Sequence, residues 1–364
     1  MNIKPDIEFI SQIKEISKSP VKTCMQCGEC SVVCTLAPED RPFPRKEMIW
    51  TGWGLKDKLM SNPDIWLCHQ CGDCSTHCPR DIKPADVISS LRQMSYRHHA
   101  KPAFMGKLLS EIKYLPLALL LPIIAILAII YSAGTLTIPE GPVLYSKFFP
   151  HGWLNSSFTL ITLIVVILTL VSLKKFWNNM KGFVPESGNI KKKPLIKSIL
   201  EAKREVLTHS NFGKCETDKS RRVNHFLVLH GFIILLLVTA LAIVATLTGN
   251  YPLSFMHPVK IAGNIAAIML IAGTVGMMIN RLMKKPGTGN SNYFDWIFLL
   301  AIFLLTVTGV LVEMARFQNW SLAYHIYFIH LVLVWFLIIY APYTKFGHFI
   351  YRFTAMVFGK RYGR

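Results

Sequence analysis

From Tyr114 onward the chain holds six apolar segments of spanning length, at about 114–132, 156–173, 223–248, 259–280, 294–315 and 322–343. Each approaches the roughly 20 residues that a helix needs to cross a hydrocarbon layer. No soluble core explains six such segments in one chain. Of the 364 residues 52% are hydrophobic and 17% charged, too apolar a balance for a soluble protein of this size. A net charge of +19 would suggest nucleic acid in a soluble chain. Here the basic residues fall mainly between the apolar segments, so membrane lipid and no nucleic acid is expected as the partner surface.

Lysine and arginine give the orientation. Segments 174–222, 281–293 and 344–364 together hold 21 basic residues, whereas 133–155, 249–260 and 316–321 hold three, Lys147, Lys260 and Arg316. The positive-inside rule puts the first set in the cytoplasm, with the N-terminal part and the C-terminus on that side. The expected site is the cytoplasmic membrane, with 174–222 as a basic cytoplasmic loop. The opening stretch MNIKPDIEFISQIKEI has no apolar core of a signal peptide.

Ahead of the membrane part stand two runs of identical spacing, CMQCGECSVVC from Cys24 and CHQCGDCSTHCP from Cys68. Both read C-x2-C-x2-C-x3-C. Three thiolates at steps of three wrap one face of a cubane, and the fourth points away from it. In two-cluster ferredoxins that fourth cysteine ligates the other cluster. The spacing therefore predicts one [4Fe-4S] cluster on Cys24, Cys27, Cys30 and Cys78 and a second on Cys68, Cys71, Cys74 and Cys34. Pro79 follows the second run, and Thr35 replaces the equivalent proline of the first. Structural zinc uses paired C-x2-C arms a dozen or more residues apart, a poorer fit. Cys215, alone in a polar stretch, is expected to be a bystander.

The segment between the runs has apolar residues at helical period (Met48, Ile49, Trp53, Leu55, Leu59) and no alternating strand pattern. An all-α chain is expected: a helical two-cluster ferredoxin domain over 1–105, then a six-helix transmembrane cytochrome b bundle over 106–364. The stretch ISSLRQMSYRHHAKP should close the first domain as a polar helix and hinge.

Ionisable groups inside a membrane are functional candidates, and neutral imidazoles on facing helices hold b-type haem. His225 and His230 stand near the cytoplasmic start of the third span, His325 and His330 near the far end of the sixth, and His348 just beyond it. His230 and His348 reach similar depth. His330 precedes His348 by eighteen residues, about 27 Å of helix, and belongs to another level. His225 and His230 differ by about 140° around their helix. His98, His99 and His209 read as surface histidines. No nucleophile–base constellation or phosphate-binding glycine loop points to hydrolysis.

The stretch HLVLVWFLIIYAPYTKFGHF resembles the last haem-bearing helix of the cytochrome b (gamma) subunit of respiratory nitrate reductases. Residues 1–100 resemble the C subunit of heterodisulfide reductase, a helical two-cluster ferredoxin. Their fusion in one chain is similar to the C-subunit family of quinone-interacting membrane-bound oxidoreductases. The resemblance implies that His230 and His348 hold the cytoplasm-proximal haem b and that His330 matches a ligand of a distal haem. The partner of that distal ligand falls on Ala240, so one haem is expected in preference to two, with His330 then lining a quinone pocket. His225 and His257 are the substitute ligands if a second haem is held. Lys260 aligns with a lysine near the quinol site, against the alternative of an anchor at the interface. Implied partners are menaquinone, two soluble flavin and iron–sulfur subunits resembling heterodisulfide reductase A, and adenylylsulfate reductase. The resemblance implies electron transfer between quinone and those subunits, with a disulfide-reducing complex as the alternative output and a zinc-binding membrane sensor as the alternative class.

Overall fold

The computed structural model describes residues 4–37, 41–109, 111–184, 192–208, 219–283, 289 and 293–363; Cys215 and His209 lie outside them. Among these residues the chain is helical and contains no strand. In the N-terminal part the α-helices are α1 (Ile7–Ser17), α2 (Glu29–Val32), α3 (Arg45–Gly52), α4 (Lys56–Met60), α5 (Asp73–Thr76), α6 (Pro84–His99) and α7 (Ala103–Leu108). The apolar part follows with α8 (Leu115–Ser132), α9 (Tyr145–Phe148), α10 (His151–Met180), α11 (Leu195–Thr208), α12 (Lys219–Leu247), α13 (Pro258–Leu282), α14 (Tyr293–Phe317), α15 (Ala323–Tyr340) and α16 (Lys345–Tyr362).

Local signals account for the ends of these helices. Asp6 caps α1 by accepting from the Phe9 amide at 2.8 Å, and Lys18 ends it in the left-handed region. Pro84 opens α6, where its missing N–H costs nothing. The Thr344 hydroxyl accepts from the Phe346 amide and starts α16 after Pro342.

Far from a polar closing hinge, α6 is the central helix of the N-terminal part. It buries Val87, Ile88, Leu91, Arg92, Ser95, Tyr96 and His99, and packs against α1, α4, α10 and α16. Its polar residues are consumed by specific partners: the Ser95 hydroxyl donates to the Met60 carbonyl at 2.6 Å. His99 departs from the surface role expected of it. The side chain is fully buried, with Nδ1 2.8 Å from the Ser95 carbonyl and Nε2 3.2 Å from the Asn179 amide, so both nitrogens are engaged within the fold. His98 beside it is exposed, as expected.

Among the described residues six helices are long and apolar enough to cross a membrane: Ile112–Ser132, His151–Phe183, Ser220–Leu247, Pro258–Leu282, Tyr293–Phe317 and Ala323–Tyr343. The second is far longer than its apolar stretch because the helix continues through KKFWNNM, whose Phe176 and Met180 are fully buried against the rest of the protein. The described residues of the expected basic loop over 174–222 are thus largely helix, comprising the end of α10, then α11, then the start of α12. Its charges hid the apolar faces that packing uses.

Helices α12, α13, α14 and α15 pack in sequence order, and α8 and α10 lie against α15. The α12–α13 contact is close because glycines face it. A methyl at Gly273 would sit 2.8 Å from Val228 Cγ2 and 2.9 Å from the Asn224 carbonyl; one at Gly231 would meet Leu270 at 2.8 Å. Small residues at such crossings let helix backbones approach within a membrane.

Gly273→Ala should therefore force α12 and α13 apart, lowering stability by about 1–3 kcal/mol as overpacking does. Melting of the detergent-solubilised chain measures this, with Gly152→Ala on α10, where no atom lies within 4 Å, as the unaffected control.

Candidate iron–sulfur and haem sites

The two cysteine runs adopt the same backbone. Gln26 and Gln70 both lie in the left-handed region (φ 59° and 58°), and two residues later Gly28 and Gly72 do so too (φ 91° and 96°). Each glycine then starts a one-turn helix, α2 or α5, bearing the third cysteine. This alternation of hand curls the loop around its own sulfurs. The Gln26 side-chain amide donates to Cys24 Sγ at 3.1 Å and the Gln70 backbone amide to Cys68 Sγ at 3.2 Å. Such donors favour sulfur in its thiolate form.

The sulfurs group across the runs. Cys24, Cys27, Cys30 and Cys78 line one cavity, together with Gly28, Arg45 and Arg80. Cys34 comes instead to Cys68, Cys71 and Cys74: burial first, then Cys68, Cys71 and Cys34, push the Cys74 thiol up strongly, and burial, with Cys68 and Cys71 adding to it against the backbone hydrogen bonds of Leu36 and Ala37, pushes the Cys34 thiol to about 11. Cys30 is likewise pushed to about 11 by burial, then by Cys24 and Cys27. Mutually repelling buried thiolates require a cationic centre, so this donor set fits two clusters of iron and sulfide.

The two groups face different surroundings. Cys27 is exposed, and beside it Met25 and, on α2, Val32 are 55% and 81% exposed. Cys68 and Cys74 are buried. The Cys68–Gln70 loop is held by three guanidiniums, one from its own part and two from the membrane part. Arg92 of α6 donates to the Cys68 carbonyl at 2.7 Å, Arg352 of α16 donates to the same oxygen at 3.1 Å, and Arg221 of α12 donates to the Gln70 carbonyl at 2.6 Å. Sequence reading missed these arginines, since a basic residue near a membrane surface carries no mark of its target.

His348 stands one helical turn before Arg352. Its ring lies 5.6 Å from that of Trp66, two residues before Cys68. Burial holds it well below the ordinary histidine range, with Arg92, Arg352, Lys345 and His225 adding to the effect, so the ring is neutral. His225 is therefore drawn into the surroundings of His348, which its offset from His230 did not suggest. His230 lies deeper on α12, its ring stacked on Phe226 at 3.8 Å and its Nδ1 3.0 Å from the Phe226 carbonyl. A carbonyl only accepts, so Nδ1 carries the proton and Nε2 keeps its lone pair, the tautomer that a ligand needs. Phe232, two residues on, touches Phe346 at 5.0 Å, joining the two histidine-bearing segments.

Toward the opposite end, His330 Nδ1 lies 3.0 Å from the Thr308 hydroxyl, and its ring covers Gly309, where a methyl would approach within 3.2 Å. His325 is exposed, and His257 caps α13 by accepting from the Val259 amide. Lys260 pairs with Glu313 of α14 at 3.1 Å. Glu313, a lone acid in GVLVEMARF, was available to sequence reading as an intramembrane charge.

Replacing Cys34 with Ser should perturb the centre of Cys68, Cys71 and Cys74, although Cys34 belongs to the first run. Electron paramagnetic resonance of the reduced protein shows which signal changes; a loss confined to the centre of Cys24, Cys27 and Cys30 contradicts the crossed arrangement.

Comparison with known proteins assigns the two parts separately. Residues 20–82 match a 4Fe-4S dicluster domain, so the N-terminal part is an iron–sulfur domain. It is 35% identical over 104 residues to the C subunit of the H(2):CoB-CoM heterodisulfide,ferredoxin reductase of Methanothermobacter marburgensis, covering 28% of this chain and 52% of that one. It is 34% identical over 89 residues to an Archaeoglobus profundus protein that is itself like the C subunit of heterodisulfide reductase, covering 24% and 47%. The chain thus spans about half the length of these relatives. Citrate utilization protein B of Escherichia coli is 27% identical over 292 residues, 74% of this chain and 73% of that protein. The membrane part therefore matches a family other than the nitrate reductase gamma subunit it was expected to resemble. The match of the citrate utilization protein B model to residues 106–362 covers well over half of the chain, which belongs to that family.

Proposed function

We propose that this chain is the membrane electron-transfer subunit of an oxidoreductase complex, linking a quinone in the bilayer to a soluble flavin partner. The observation that carries the reading is the seating of the second cysteine run on the helix of His348, while the first run opens to solvent. A path for electrons needs one exposed end for a partner and one end joined to the membrane. When bound, two [4Fe-4S] clusters and haem b supply one-electron carriers; the chain supplies their positions. Cys24, Cys27, Cys30 and Cys78 would hold the outer cluster, and Cys34, Cys68, Cys71 and Cys74 the inner one. His230 and His348 would hold the haem, one haem being favoured over two because Ala240 has no donor atom. The cysteine part and both ends of the chain lie in the cytoplasm in this reading, by the lysine and arginine asymmetry.

Menaquinone is the quinone we infer, with the Lys260–Glu313 pair as the group able to meet a quinone oxygen and exchange its proton. The relatives of the N-terminal part favour soluble partners of the heterodisulfide reductase type, and a disulfide-reducing complex is the second reading on that ground. The narrower assignment, two subunits resembling heterodisulfide reductase A serving adenylylsulfate reductase, rested on a nitrate-reductase-gamma-like membrane part, and the match to citrate utilization protein B removes that half of its ground. Co-purification from the native membrane separates these outputs.

The purified full chain should contain about eight non-haem iron atoms, as two four-iron clusters require, together with haem bands in its optical spectrum. His348→Ala should abolish the haem counted by pyridine haemochrome while leaving cluster signals intact. Full haem retention in that variant, or a colourless wild type, defeats the assignment.

A further inference from the structure

Two cations approach one carbonyl oxygen where the cysteine part meets the membrane part. Arg92, 4% exposed, and the part-buried Arg352 both donate to Cys68 O, at 2.7 and 3.1 Å. Arg352 Nη2 also lies 3.0 Å from each ring nitrogen of His69. Withdrawing two guanidiniums from water onto one neutral oxygen is costly unless an anion lies nearby. The acid in the surroundings of Arg352 is Glu205 of α11, which is itself paired with Lys360 at 2.8 Å. For Arg92, the groups that favour its charge are Cys68 and Tyr96. A cluster on Cys34, Cys68, Cys71 and Cys74 would bring negative charge beside both guanidiniums.

The first site is built differently. Its cations, Arg45 and Arg80, line the cavity from exposed positions, where water and salt screen them. The loops share a backbone but differ at one residue before the glutamine: Met25 in the first, His69 in the second. The asymmetry between the sites is therefore one of buried positive charge.

We propose that Arg92 and Arg352 are tuning residues that raise the reduction potential of the inner cluster above that of the outer one. This rests on the cluster reading given above. Reduction adds one electron to the site and makes or breaks no bond to the protein. A fixed positive charge in a poorly solvated site favours that added negative charge more than a screened one does. The inner site then holds an electron in preference to the outer one, next to His348.

The test is a potentiometric titration of the full detergent-purified chain, followed by electron paramagnetic resonance, with the inner signal identified by its change in Cys34→Ser. In the unaltered chain the inner signal should appear at the higher potential; equal or inverted potentials overturn the proposal without any variant. Arg352→Gln and Arg92→Gln should each move the inner signal to lower potential and leave the outer one in place, while Arg352→Lys should keep most of the original value. Variants with both clusters and no shift, or with equal shifts of both signals, overturn the tuning role. A chain without iron and sulfide overturns the cluster reading itself, which the iron and sulfide content of each preparation distinguishes.

Discussion

A buried aromatic joint holds the two parts of this protein together. Trp66 from the cysteine part, His99 from α6, Phe176 from α10 and Tyr351 from α16 pack within 5.1–6.2 Å ring to ring, and each is at most 1% exposed. Aromatic groups of this size bury the most apolar area per residue, and edge contacts add about 0.5–1.5 kcal/mol per pair. Everything nearby is arranged about this joint. The Lys101 amide donates to the Ser172 hydroxyl, Tyr343 donates to the Lys101 carbonyl, and Asn179 completes the hydrogen bonding of His99. The cysteine part is consequently one continuous core with α10, α15 and α16.

The sequence made the membrane helices and the cysteine grouping legible because both depend on short-range pattern. Apolar runs of twenty residues leave few structural options, and the spacing of each cysteine run is read within eleven residues. What it concealed lies in helix faces within polar segments. ISSLRQMSYRHHAKP looks like a hinge by composition, yet Val87, Ile88, Leu91, Ser95 and His99 share one buried stripe, and the intervening charges occupy the rest. The same reasoning hid α11 and the long end of α10. His225 reads from the sequence as a substitute ligand turned away from His230, and its nearness to His348 is decided by where α16 turns after Pro342, a long-range fact. Arg92, Arg221 and Arg352 were invisible for the same reason: 284 residues separate the Arg352 guanidinium from the carbonyl it holds.

Charge is handled in opposite ways at the two ends of the membrane part. At the cysteine end, cations gather, and Asp295 binds both Arg281 and Lys345 at the mouth of α14. At the far end few charges occur, and Lys260 and Glu313 neutralise each other. Burial of that pair is affordable because each ion offsets the desolvation of its partner. Tyr145, stacked on Tyr327 at 4.3 Å and donating to the Val312 carbonyl, closes the protein beside it.

The left-handed glutamines have a consequence for damage. A non-glycine residue in that conformation costs about 1 kcal/mol, a strain that Gln26 and Gln70 each hold in their curled loops. Should oxidation strip either centre, its loop gains by relaxing. Around Cys24 that relaxation ends at the surface. Around Cys68 it frees the two carbonyls on which Arg92, Arg221 and Arg352 close, and these arginines belong to α6, α12 and α16. Injury at the first loop would stay local, whereas at the second it would reach the contacts that α6, α12 and α16 make with it.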